Sequence, residues 1–107
     1  MPERRRHPRQ PVQITVQMTV AGRTYEARLR DICQDAVFVV TDTTWPLETP
    51  VRMVMDLPRT GGPNEYEGKV VRVADESSDG PGVAILFTEI PSAARTALDL
   101  FLQRTDQ

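Results

Sequence analysis

Pro11-Val-Gln-Ile-Thr-Val-Gln-Met-Thr-Val20, the turn Ala21-Gly22-Arg23, and Thr24-Tyr-Glu-Ala-Arg-Leu-Arg-Asp-Ile32 form the stretch that decides the fold. In its first part Val12, Ile14, Val16, Met18 and Val20 alternate strictly with polar residues. A period of two puts successive side chains on opposite faces of a strand, so this segment predicts a strand with one buried and one wetted face. The Gly-containing turn predicts a hairpin. In the second part Tyr25, Ala27, Leu29 and Asp31 fall on one face of the returning strand. Two alternating runs joined by a tight turn pair as antiparallel neighbours.

Four more β-rich runs follow downstream. Cys33-Gln34-Asp35 reads as a tight turn, and residues 36–41, with Val37-Phe-Val-Val40, as a short third strand. Residues 42–49 form a loop around Trp45-Pro46, with Trp45 expected to cap one end of the fold. Val51, Met53, Met55 and Leu57 alternate through a fourth strand, and the alternation of Met53 and Met55 marks them as core positions. Gly61-Gly62 lies in a connection, residues 66–73 make a fifth strand, residues 75–81 turn, and residues 82–87 make a sixth. Gly82 either permits a close backbone approach or simply begins that strand. The period then changes. Ala94, Ala97, Leu98, Phe101 and Leu102 recur at three- and four-residue spacing, which predicts one amphipathic helix with Ser92 as its N-cap. The expected class is all-β: six antiparallel strands in a small barrel or sandwich, a C-terminal helix over one end, and a flexible N-terminal arm over residues 1–10, with the folded part over 11–107.

At 107 residues the chain suits one domain with a core that needs no staple. Nine prolines and six glycines fit many turns. The single Cys33 allows no internal disulfide, and residues 1–10 have no apolar segment of a secretory leader. No run approaches the roughly 20 apolar residues of a membrane helix. These features predict a cytoplasmic protein with no membrane insertion.

Catalysis and metal binding find little support. His7 stands among arginines in the arm, and Cys33 reads more simply as a turn residue than as a nucleophile. No His, Cys, Asp or Glu set has metal-ligand spacing, Asp75, Glu76 and Asp79 read as solvated turn residues, and Gly61-Gly62 lacks the Lys and Ser/Thr of a phosphate loop. The expectation is a non-enzyme with no cofactor and no metal.

The charge is unevenly placed. Residues 1–10 carry four arginines against Glu3, a net +3; with the chain at −2, the remainder carries −5. A basic arm on an acidic body seeks an anion. Arginine's planar fork matches phosphate and the O6/N7 edge of guanine in two-point fashion. A solvated basic tail, or a patch for nucleic acid or acidic lipid, is the plainer alternative. The acidic body and the scarcity of aromatics for base stacking count against nucleic acid.

Arg4-Arg5-x-x-x-Arg9 directly precedes the first alternating strand, and Asp31-Ile-Cys-Gln-Asp-Ala36 ends the second. This pair resembles the two signatures of the PilZ domain family, an RRxxxR arm before strand one and a D/NxSxxG turn after strand two. Val70-Val-Arg-Val and Pro81-Gly-Val-Ala-Ile-Leu-Phe87 look like the family's last two strands, and the likeness runs over about residues 3–103. The resemblance implies a six-stranded barrel that binds cyclic di-GMP, with the arm closing over a ligand on the barrel surface. By that resemblance Arg5 and Arg9 contact guanine and phosphate, Arg4 assists, and Asp31 accepts from a guanine N–H edge, a role suited to a carboxylate.

The chain departs from the pattern at two ligand-binding positions. Cys33 stands where the family has Ser, and Ala36 where it has Gly. A thiol is a weaker hydrogen-bond partner, and one lost bond to an anionic group costs about 1.5–3 kcal/mol. If Ala36 had to adopt a positive φ, that would cost about 1 kcal/mol more. Together the two would weaken binding by roughly tenfold to a thousandfold. Two readings follow: a cyclic di-GMP receptor acting through a protein partner, or a degenerate adaptor that binds no nucleotide and works by protein–protein contact.

Overall fold

A computed structural model describes residues 14–74 and 81–105. Six strands follow in order: β1 (Thr15–Val20), β2 (Arg23–Ile32), β3 (Ala36–Val40), β4 (Pro50–Met55), β5 (Asn64–Ala74) and β6 (Gly82–Glu89), then the helix α1 (Ser92–Thr105). All neighbours are antiparallel, and the sheet closes as β1-β2-β3-β6-β5-β4, with β4 returning to β1. The expected barrel with a closing helix is the observed fold. Closure leaves no open sheet edge.

The period-2 pattern of the opening stretch is the reason β1 sits as it does. Ile14, Val16, Met18 and Val20 are buried, and the polar residues between them are exposed. Ala21 and Gly22 both have positive φ, 52° and 80°, and Val20 pairs with Arg23. A two-residue loop with both φ positive matches the right-handed twist of a hairpin, and glycine takes that conformation without a Cβ penalty.

The core fills the barrel with β-branched and methionine side chains, Met18, Met53 and Met55 among them, all fully buried. Tyr66 is buried with them, and its hydroxyl donates to the Ala94 carbonyl at 3.2 Å, which ties β5 to the base of α1. Burial pushes the Tyr66 hydroxyl pKa above its ordinary 10.0, and the positive charge of Arg95 pulls it partly back. Ala94, Ala97, Leu98 and Phe101 form the helix's buried stripe. The helix begins one residue earlier than its sequence suggests. The Arg95 N–H donates to the Pro91 carbonyl at 2.9 Å, so Pro91 holds the capping position and Ser92 is the first helical residue. Trp45 packs on the core edge-on to Tyr25, ring centroids 5.2 Å apart.

Candidate functional site

The candidate site begins with an irregularity in β2. Leu29 pairs with Val39 but Asp31 pairs with Phe38, so Arg30 is an extra residue opposite β3. Such a bulge resets the in-out alternation. Leu29 and then Ile32 pack against the core, as do Val37 and Val39. Asp31 therefore leaves the face of Tyr25, Ala27 and Leu29, where strict alternation placed it, and lies on the outer surface beside Phe38. A regular strand would have aimed this carboxylate into the apolar core, where an ionised group is costly.

The outer surface here is built across four strands. Asp31 of β2, Phe38 of β3, Ala84 of β6 and Arg72 of β5 fall in one register row. Phe38 is only 5% exposed yet is not part of the barrel core. The Arg30 guanidinium lies over its ring, 4.1 Å from the centroid, and that of Arg72 at 5.7 Å. Arg30 also pairs with Asp31, Nε to Oδ2, at 2.9 Å. Gly82 is part of this surface: a Cβ there would collide with the Phe38 ring and the Val39 carbonyl oxygen. Its role is close packing rather than merely starting a strand.

The turn that follows β2 is pinned from three sides. The Cys33 N–H donates to the Ala36 carbonyl at 2.9 Å, the Phe87 N–H to the Asp35 carbonyl at 2.8 Å, and Arg95 Nη1 to the Gln34 carbonyl at 3.4 Å. Cys33 is exposed. Ala36 opens β3, pairs with Leu86, and does not have a positive φ. The backbone cost attached to alanine at this position therefore does not arise. Asp31 near the end of β2 and Ala36 at the start of β3 thus flank an anchored turn in which Cys33 is exposed.

The described chain begins near that turn. The Leu29 N–H donates to the Ile14 carbonyl at 2.9 Å, so the first described residue lies two positions from Asp31 on the neighbouring strand. Arg4, Arg5 and Arg9 lie outside the described residues. So do Asp75, Glu76 and Asp79. Among the described residues no three of His, Cys, Asp and Glu gather as a metal site, and no helix is long and apolar enough to cross a membrane.

Reading the sequence alone passed over Arg30, Phe38, Arg72 and Arg95. Phe38 carried a signal: in Val37-Phe-Val39 the flanking valines point inward, so the phenyl must point out. The position of Arg30 depends on the bulge, and that of Arg95 on how the helix docks; neither is written in local periodicity.

A closed six-stranded antiparallel barrel with one C-terminal helix and an anchored turn between β2 and β3 defines a small all-β domain. The chain belongs to the PilZ domain family, whose model matches residues 3–104. No curated protein sequence matches it. The structure is similar to the PilZ domain of YcgR from Escherichia coli solved with c-di-GMP, at 14% identity and a TM-score of 0.70, over 97% of this chain and 92% of that one. It is similar to MotI/DgrA, the Bacillus subtilis inhibitor of motility, at 19% identity and a TM-score of 0.74, over 95% of this chain and 51% of that one. Apo MrkH of K. pneumonia gives 14% identity and a TM-score of 0.76, over 98% and 51%. The chain thus spans about half the length of MotI/DgrA and MrkH and nearly all of the YcgR domain.

Proposed function

We propose that the chain is a cytoplasmic receptor module for cyclic di-GMP that catalyses no reaction and acts through a protein partner. The observation that supports this reading is at the start of the described chain: Ile14 is bonded to Leu29, two positions before Asp31, and the arginine-rich residues 4–9 precede Ile14 in the sequence. Donors from the arm and an acceptor from the turn then face one ligand. Arg5 and Arg9 take guanine and phosphate, Arg4 assists, and Asp31 accepts from the guanine N–H edge. The similar YcgR domain was solved with c-di-GMP. A strong departure at the turn would favour the adaptor reading, but Ala36 sits in ordinary strand geometry, and only the Cys33 thiol remains as a weakened contact.

Amide chemical-shift mapping tests this. Cyclic di-GMP should shift the amides of residues 31–36 and of Phe38, and leave those around Trp45 unmoved. Shifts confined to the Trp45 end, or none at high ligand concentration, would overturn the proposal.

A further inference from the structure

Arg95, in the first turn of α1, stands between two acceptors. Its Nη1 is 3.4 Å from the Gln34 carbonyl oxygen in the β2–β3 turn and 3.9 Å from Asp99 Oδ1, one helical turn on. Neither contact is closed, since hydrogen bonds of this type centre near about 2.9 Å. Asp99 Oδ1 is buried and accepts no hydrogen bond, a state that costs free energy. One guanidinium is therefore offered to two incompletely met demands.

The two acceptors belong to different parts of the molecule. The Asp35 carbonyl is held by the Phe87 N–H of β6 and the Ala36 carbonyl by the Cys33 N–H of the turn itself, whereas the Gln34 carbonyl is held by a side chain of the helix. The base of that helix is itself fixed to the barrel through the Tyr66 hydroxyl on Ala94. Arg95 is thus a hydrogen-bonding link between the candidate ligand turn and α1.

We infer that Arg95 is a positioning residue that couples ligand occupancy at the turn to the C-terminal helix, by closing on Gln34 in one state and on Asp99 in the other. This rests on the receptor reading above. In the first state the turn is held and Asp31 and Cys33 keep their places. In the second the carboxylate is satisfied and the turn is released from the helix. A ligand that needs the held turn favours the first state. By linkage, a partner that grips α1 in that state tightens ligand binding by the same factor. Leu100, next to Asp99 and 38% exposed, belongs to the helix surface whose setting is controlled in this way.

Hydrogen exchange and calorimetry on the full chain test the coupling, with Arg95→Ala, Arg95→Lys and Asp99→Ala. In the ligand-free protein, Arg95→Ala should speed exchange at the Cys33 and Phe87 amides, which donate to the Ala36 and Asp35 carbonyls; Asp99→Ala, by removing the competing acceptor, should slow it. Affinity for cyclic di-GMP should fall about fivefold or more in Arg95→Ala and rise in Asp99→Ala, with Arg95→Lys between Arg95→Ala and wild type. Ligand-induced protection of the α1 amides should be lost in Arg95→Ala. Effects of the same sign in Arg95→Ala and Asp99→Ala, or undiminished helix protection in Arg95→Ala, overturn the coupling. Absence of nucleotide binding by the wild type overturns the receptor reading instead, and the ligand-free exchange rates still decide whether Arg95 holds the turn.

Discussion

Cys33 and Ala36 look alike as departures from a sequence pattern, but the structure separates them. Ala36 has ordinary strand φ, so Ala36→Gly should bring no gain in cyclic di-GMP affinity and should cost about 0.5–1 kcal/mol of stability by loosening the start of β3. Cys33 is exposed on the turn, and Cys33→Ser replaces a weak partner by a strong one. A regained hydrogen bond to an anionic ligand is worth about 1.5–3 kcal/mol, which is roughly ten- to a hundredfold in affinity. Parallel titrations of the two single variants check both statements; equal gains would refute the distinction. Tyr66 gives a prediction in pH. Its pKa is raised in the folded state by burial, against the opposing charge of Arg95. Above the ordinary value of 10.0 the unfolded chain loses this proton first, so the unfolded state binds fewer protons and stability falls as pH rises. Below that value the contribution is fully present. Urea unfolding at pH 9 and pH 11 should show a drop that is smaller in Tyr66→Phe. That variant should also lose about 1 kcal/mol at neutral pH with the bond to Ala94.

The elements were mostly legible before the fold was known. Alternation located β1 and the faces of β4, Ala21-Gly22 located the hairpin, and the change to a three-four spacing located α1, because each is dictated by neighbours a few residues away. What was not legible depended on contacts between strands. The bulge at Arg30 exists because β2 must keep Ile32 in the core while turning Asp31 out, a requirement set by β3 across the ladder. The helix start moved from Ser92 to Pro91 through one backbone bond from Arg95. The candidate turn was readable as a motif, whereas its anchoring by Phe87 and Arg95 was not, since these lie more than fifty positions downstream. The approach of β6 to β3 yields an element-scale prediction. Gly82 sits under the Phe38 ring and against the Val39 carbonyl, and one of those is backbone that cannot step aside. Gly82→Ala should therefore destabilise by about 1–3 kcal/mol in chemical denaturation and expose Phe38. No loss of stability would mean that the two strands are not packed this closely.

At the scale of the whole molecule, closure of the barrel brings the chain's early and late parts to one end of one face. β1 begins beside Leu29, β2 ends in the candidate turn, β6 bonds to that turn through Phe87, and α1 reaches it through Arg95. The charge distribution matches this arrangement, with a net +3 on residues 1–10 and −5 on the rest. An acidic body discourages polyanions in general, while the arm retains attraction for a small doubly charged ligand. Binding should thus depend on specific arginines rather than on overall charge. The direct test is calorimetric titration of the full chain with cyclic di-GMP, beside Arg5→Ala and Arg9→Ala. The account predicts saturable heat in the wild type and its loss, or a fall in affinity of about tenfold or more, in each variant. An absence of heat in the wild type at high protein concentration, or variants that bind as tightly as the wild type, would contradict it.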